Sequence, residues 1–373
     1  MIPVFDIKIS KKAKQLANNC LNSNWISSQG VYVKKLEKII SKYHKVKYCL
    51  VTSSCTTALH LAIRSLSLKR GDEIICPALS FISPANMVLL ESLKLKLVDI
   101  DIETLTLDTQ LLKKKINQKT KAIIVVHQFG HAADMDEILK ISKKSSIKVI
   151  EDNAEALGGK YKGKVNGTLG DISTLSFFGN KVITTGEGGA ILTNNKKIYM
   201  KCLEMRDHGM NVKKKYFHKF LGFNYRMTNI QAALGYEQFL RVSKILKARN
   251  QQMQFYIKHL KDIKEIKLRK FKKWCQPTHW FMTISCKKSK DRDKLINFLK
   301  NKKIETRRMI FPINYAKHVK TKEKFKVAEK VSLSSLHLPS GFKLKNNQIE
   351  YIASMIKLFF KKKLKNNSKK IFK

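Results

Sequence analysis

At 373 residues the chain exceeds the usual size of one domain, and its 43% apolar content is enough for a sizeable core. Six prolines and sparse glycine exclude a fibrous or low-complexity chain and describe a globular one. The formal charge of +47 invites a nucleic-acid partner, but lysine far outnumbers arginine, and its runs (Lys113 to Lys115, Lys213 to Lys215, Lys361 to Lys363) lack interleaved aromatics, so a solvated basic face is favoured and no nucleic acid is expected. In chain order, apolar runs predict strands at Tyr48 to Thr52, Glu73 to Cys76, Leu95 to Asp99, Ala122 to His127, Lys148 to Glu151, Ile172 to Phe177 and Gly189 to Thr193. Helical periodicity lies between them at Thr57 to Leu66, Pro84 to Glu91 and Met135 to Lys143. This alternation predicts an α/β architecture, a largely parallel sheet with helices on both faces.

Past residue 229 the pattern changes. Ile230 to Leu260 reads as one long helix or two broken ones. Strands at Trp280 to Ser285 and Ile304 to Arg307 then mix with helices at Asp291 to Lys300 and Asn347 to Leu358. The expected division is a large domain over 1–245, including the N-terminal segment, and a smaller α+β domain over 246–373. The seven cysteines show no Cys-x-x-Cys spacing, no apolar leader opens the chain, and no stretch reaches 18 apolar residues. A soluble protein of a reducing cytoplasm is expected, with no transmembrane segment.

Ligands of open parallel sheets sit beyond the carboxyl ends of strands, and three clusters of uncommon residues fall there. In Thr52-Ser53-Ser54-Cys55-Thr56-Thr57 a strand runs through hydroxyl residues into a helix. Free amides at a helix start make an anion cradle, with an ordinary N-cap as the competing reading. In Val149-Ile150-Glu151-Asp152-Asn153-Ala154-Glu155 carboxylates cluster at a strand tip, suited to a charged ring nitrogen or to a helix cap. No nearby His or Cys offers metal-ligand spacing, so no metal is expected. In Ser176-Phe177-Phe178-Gly179-Asn180-Lys181, followed by Thr184-Thr185-Gly186-Glu187-Gly188-Gly189, a lysine stands in a stretch short of other charges. A desolvated lysine has a lowered pKa and condenses with aldehydes. Phe81, His127 and His131 follow other strand ends; an aromatic there stacks on a flat ring or simply fills core.

Taken in order with Asn24-Trp25-Ile26-Ser27-Ser28-Gln29-Gly30, Gly222-Phe223-Asn224-Tyr225-Arg226-Met227-Thr228-Asn229 and Leu338-Pro339-Ser340, these segments resemble the DegT/DnrJ/EryC1/StrS sugar-nucleotide aminotransferases, of the pyridoxal 5'-phosphate (PLP) fold type I superfamily. The resemblance implies a mostly parallel central sheet between helices, a smaller C-terminal α+β domain, and PLP as cofactor. It implies that Lys181 carries PLP and shuttles the proton, and that Asp152 pairs with the ring nitrogen. Ser54, Cys55, Thr56 and Ser176 would hold the phosphate, Phe81 and Ala154 would flank the ring, and Glu155 would lie near its hydroxyl. Asn224 would reach the cofactor of a neighbouring subunit, making a homodimer with composite sites or a tetramer built from it.

Within the family, the opening Met1-Ile2-Pro3-Val4, Tyr161-Lys162-Gly163-Lys164, Tyr216-Phe217-His218 and Ile304-Glu305-Thr306-Arg307 are most similar to members acting on GDP-4-keto-6-deoxy-D-mannose. That similarity implies transfer of the amino group of L-glutamate to C4 of the sugar, for bacterial surface polysaccharide. It implies substrate contacts from Trp25, Ser27, His127, His218, Arg226 and Arg307. A UDP- or dTDP-linked 3- or 4-keto sugar is the alternative. Cys55 stands where relatives commonly have glycine, and Phe311 to His318 does not reproduce the Pro-x-His segment common in the family. The related 3-dehydratases carry histidine where this chain has Lys181.

Overall fold

The computed structural model describes the backbone of residues 1–371 and the side chains of residues 1–363. Helices α1 (Lys11–Asn22) and α2 (Val31–His44) precede an alternating series: β1 (Tyr48–Thr52), α3 (Cys55–Ser65), β2 (Glu73–Pro77), α4 (Ser83–Leu90), β3 (Lys94–Val98), α5 (Thr109–Lys115), β4 (Thr120–Val126), α6 (Met135–Lys144) and β5 (Lys148–Asp152). A small hairpin, β6 (Lys160–Tyr161) and β7 (Lys164–Val165), leads to β8 (Ile172–Ser176), β9 (Gly189–Thr193) and α7 (Lys196–Arg206). All seven expected strands of this half form, with ends shifted by a residue or two.

These strands make one sheet in the order β1-β9-β8-β5-β4-β2-β3. Only β9 runs against its neighbours; the pairs from β8 through β3 are parallel. The antiparallel insertion has a local consequence. Gly189, the first residue of β9, pairs with Thr52 on one side and Ser176 on the other. The ends of β1 and β8 and the start of β9 therefore share one edge with the carboxyl ends of β4 and β5, and that edge is where a parallel sheet offers a ligand site. Its strands are β-branched and buried on both faces (Ile74, Ile75, Ile123, Ile124, Val125, Val149, Ile150), as helix-covered parallel strands require.

The expected long helix is broken in two, α8 (Asn229–Leu240) and α9 (Val242–Leu260), at Arg241 with φ −124°. A reciprocal capping box between Thr228 and Gln231 starts α8. The boundary expected at 245/246 falls inside α9. Beyond it lie β10 (Ile266–Leu268), β11 (Cys275–Gln276), β12 (Met282–Cys286), α10 (Lys290–Asn301), β13 (Arg307–Arg308), α11 (Lys326–Ser334), β14 (Ser335–Leu338) and α12 (Asn346–Ile371). Strands β10, β12, β14 and β13 make a smaller antiparallel sheet. Tyr256, Leu260, Ile284, Leu299, Leu336 and Ile352 form the core of this smaller C-terminal domain. Residues 2–4, expected with the large domain, bond to it instead: Ile2 bridges Ile304, and the Val4 amide donates to Glu305 Oε2 at 2.8 Å. The tail helix is a packed one in its described part, burying Ile352, Ile356 and Phe360. Among the described residues no helix is long and apolar enough to cross a membrane.

Arg249 of α9 locks the smaller domain to the loop that enters the site. Its guanidinium is buried and donates to the carbonyls of His279, Trp280 and Ser340, and burial lowers its pKa to about 10. Arg249→Met should leave those carbonyls without donors and lower the unfolding free energy on the order of 3 kcal/mol. A urea midpoint equal to that of the parent would show that the carbonyls find other partners.

Candidate active site

The start of α3 is the first component. Ser54 caps the helix, its Oγ accepting from the Thr57 amide at 3.1 Å while Thr57 Oγ1 accepts from the Ser54 amide at 3.1 Å. Thr57 and Ala58 are thus satisfied locally, the latter by the Ser54 carbonyl. Among the described residues the amides of Cys55 and Thr56 meet no protein acceptor, which is the anion-binding condition of a helix N-terminus. Gly189 keeps the approach open: a Cβ there would lie 2.5 Å from the Ser54 carbonyl and 2.6 Å from the Cys55 amide nitrogen. A side chain at 189 would fill the cradle.

Two carboxylates at the tip of β5 follow opposite rules. Glu151 is fully buried, yet its pKa is lowered: burial pushes it up, and His127 together with the amides of Gly170 and Gly167 outweighs that. Those bonds are 2.8 Å from His127 Nε2, 2.9 Å from Gly167 and 2.5 Å from Gly170, with Leu169 adding one at 2.7 Å. Among the described residues the Asp152 carboxylate accepts only the Ala154 amide, at 3.0 Å, and burial raises its pKa to about 6. It is a carboxylate short of partners.

Lys181 closes the site from the loop between β8 and β9. Its Nζ lies 3.8 Å from Glu155 Oε1 and 3.8 Å from the centroid of the Trp280 ring. Burial lowers the pKa of this amine, opposed by Glu155, Cys55 and Asp152 and reinforced by Arg307. Glu155 accepts the Phe129 amide at 2.8 Å, and burial raises its pKa. Phe129 itself is left-handed, φ 50°, a strained setting for a bulky residue that brings its N–H to that carboxylate.

Ser54, Cys55, Asp152, Glu155, Lys181 and Trp280 line one cavity of about 280 Å³, together with Thr56, Phe81, Ala154 and Ser176. An anion cradle, an under-bonded acid, a desolvated amine and an exposed aromatic at the mouth suit a flat, phosphorylated aldehyde with a basic ring nitrogen. Among the described residues no group of His, Cys, Asp or Glu is arranged to hold a metal ion.

Comparison with known proteins agrees with this reading. The DegT/DnrJ/EryC1/StrS aminotransferase family pattern matches residues 7–357. The chain belongs to that family. GDP-perosamine synthase of Escherichia coli is 39% identical over 363 residues, 97% of this chain and 99% of that protein. PseC of Helicobacter pylori, an aminotransferase in the biosynthesis of pseudoaminic acid, superposes with a TM-score of 0.92 at 27% identity over 97% of this chain and 99% of that one. The GDP-4-keto-6-deoxy-D-mannose-3-dehydratase of E. coli, solved with bound hydrated PLP, gives 0.89 at 27% identity, covering 95% and 99%.

The cavity brings some of the expected site residues together and leaves others out. Lys181, Asp152, Ser54, Cys55, Thr56, Phe81, Ala154, Glu155, Ser176 and Arg307 line the cavity. His127, expected at the substrate, does not: it is fully buried beneath the site, Nε2 on Glu151 and Nδ1 accepting the Ala133 amide at 3.1 Å. Trp25, Ser27, His218, Asn224 and Arg226 are also absent from the cavity wall of this chain. Arg226 instead binds Asp207 at 2.5 Å and Asn224 at 3.1 Å, and His218 rests on the His208 carbonyl at 2.9 Å. Sequence reading missed Trp280, Gln128 and His337, which do line the cavity. Trp280 lies a hundred residues from Asn180, the neighbour of Lys181, and no local spacing reports that approach.

The raised pKa of Asp152 makes a stability prediction for cofactor-free protein. Folded, the acid titrates near 6, above its ordinary 3.8. Its contribution is therefore fully present below about pH 3.8 and is lost as pH rises through 6, a difference of about 3 kcal/mol. Asp152→Asn should make the cofactor-free protein more stable at pH 8 and flatten its stability profile between pH 4 and 7. Thermal unfolding across that range decides it; an unchanged profile would place the titration elsewhere.

Proposed function

We propose that this protein is a PLP-dependent aminotransferase that moves the amino group of L-glutamate to C4 of GDP-4-keto-6-deoxy-D-mannose, giving GDP-perosamine and 2-oxoglutarate. The observation that carries the reading is the convergence of Lys181, Asp152 and the free amides of Cys55 and Thr56 on one cavity, in a chain 39% identical to a GDP-perosamine synthase. PLP, when bound, supplies the electron sink that makes the bond to the amine-bearing carbon labile.

The residues divide the remaining work. The amides at the start of α3, with Thr56 and Ser176, hold the phosphate against the helix dipole. Asp152 keeps a proton on the ring nitrogen; its shortage of other partners leaves it free for that bond, and a cation beside it returns it to the ionised state. Lys181 takes and returns the proton at the substrate carbon, and burial favours the neutral amine it needs for the first of these steps. Phe81 and Ala154, both on the cavity wall, would flank the ring, and Glu155 would lie near its hydroxyl. Arg307 and Lys181 are the two cations of the cavity wall, so Arg307 is the group available to an anionic part of either substrate. A lysine at 181, where the 3-dehydratases of the family carry histidine, supports amino transfer over dehydration.

Asn224, Trp25, Ser27, His218 and Arg226 are assigned to the site of a second subunit. Trp25 itself is 58% exposed, as are the large apolar side chains of Tyr216 (84%) and Leu221 (64%) near His218 and Asn224 in sequence, which supports a homodimer whose sites are completed across the interface.

Purified protein should be yellow and lose that absorbance when L-glutamate is added. With GDP-4-keto-6-deoxymannose it should form a product carrying nitrogen at C4. Lys181→Ala should slow turnover by about 10²–10⁴-fold. A panel of GDP-, UDP- and dTDP-linked keto sugars tests the substrate; turnover of only the latter two would refute the GDP assignment and leave the chemistry standing.

A further inference from the structure

Trp280 meets the reactive lysine twice. Its ring face lies under Lys181 Nζ at 3.8 Å, and its indole Nε1 donates to the carbonyl of Asn180, the preceding residue, at 2.6 Å. Among the described residues Lys181 Nζ makes no hydrogen bond, since the nearest carboxylate oxygen, Glu155 Oε1, is 3.8 Å away. The ring is fixed on every side. Phe129 lies parallel to it at 10° and 6.4 Å, Phe281 meets it at 63° and 4.7 Å, and Arg249 holds its backbone carbonyl. Trp280 is 4% exposed.

An aromatic face attracts an ammonium and is nearly indifferent to a neutral amine. Lys181 leaves the cofactor for part of every cycle, and in that interval it needs a defined place and a reason to accept a proton. We propose that the face of Trp280 is the seat of the free Lys181 side chain and holds the ammonium that forms when the lysine takes the substrate proton. Trp280 is then a positioning residue that strengthens a base otherwise weakened by burial. The other groups facing this amine are Glu155, Asp152, Cys55 and Arg307. His337, its ring 6.4 Å from the indole, is held neutral by burial, with a pKa near 3. None of these takes over the role of the ring.

The inference rests on Lys181 being the proton carrier, and the two can fail separately. Borohydride reduction of PLP-loaded parent, followed by peptide mass analysis, tests the attachment at Lys181 alone. The seat is tested on the cofactor-free full chain by labelling with trace acetic anhydride across pH and measuring acetylation of Lys181 by mass spectrometry. In Trp280→Leu the midpoint should fall by about 0.5–1.5 pH units, and in Trp280→Phe, which keeps a weaker ring face, by less. A wall that merely excludes water would give the opposite sign, because the smaller side chain admits solvent; an unchanged or raised midpoint in Trp280→Leu overturns the proposal. In the loaded protein the glutamate half-reaction of Trp280→Leu should slow by about 3- to 30-fold with PLP affinity within about twofold of the parent. Recovery of most of that loss in Trp280→Phe supports the seat. A parallel loss of PLP affinity in both variants assigns Trp280 to scaffolding and overturns it.

Discussion

Desolvation is the interaction on which the site depends. The same enclosure raises the pKa of Asp152 and lowers that of Lys181, because burial penalises the charged form of each. Without a ligand, both groups are pushed toward neutrality. A bound ring cation reverses the tendency for the acid while leaving the amine free to act as a base. The protein thereby holds two groups of opposite type in readiness without letting them neutralise each other by direct contact. Among the described residues Glu155, at 3.8 Å, is the carboxylate within ion-pair reach of the lysine, near enough to bias the amine and too far to bind its proton.

Glu151 shows that burial alone does not decide the outcome. It is the neighbour of Asp152 and equally enclosed, but three amides and His127 satisfy it, and its pKa falls. Those bonds tie the end of β4 and the loop at 167–170 to β5, which fixes the strand tip that presents Asp152. The division of labour between adjacent carboxylates is set by the number of donors within reach. One acid is spent on rigidity, the other kept available for a ligand.

How much of this was legible in the sequence follows from the range of each signal. The β-branched runs of the first half gave their strands to within a residue or two, since buried parallel strands carry the pattern in every residue. The cradle at Ser54 to Thr56 and the lysine loop were legible because each is a contiguous piece at a strand end. The two readings offered for Ser54 both hold in part: the side chain is an ordinary cap, and the unpaired amides belong to the residues just after it. His127 was misplaced because its partner sits on the neighbouring strand, a pairing visible only once β4 and β5 are in register. Trp280 and β14 were missed for a similar reason. The Ser335-Leu336-His337-Leu338 strand is short, and its place between β12 and β13 is a tertiary fact.

The large positive charge takes its meaning from where it is not. In a chain with a formal charge of +47, the cavity wall holds Lys181 and Arg307 against Asp152, Glu155 and Glu187. Nearly all the excess therefore lies outside the cavity. Charges on a solvated surface are screened over about 8 Å at physiological salt, so they act on the arrival of an anion more than on its hold once bound. Inside, the low dielectric makes each charge count for several times more, and there Lys181 and Arg307 stand against Asp152 and Glu155, Glu187 being exposed. A cavity that matched the surface would drive the Lys181 pKa further down. Segregating the lysines outside lets the surface attract a nucleotide-linked substrate while the interior stays poised for proton transfer.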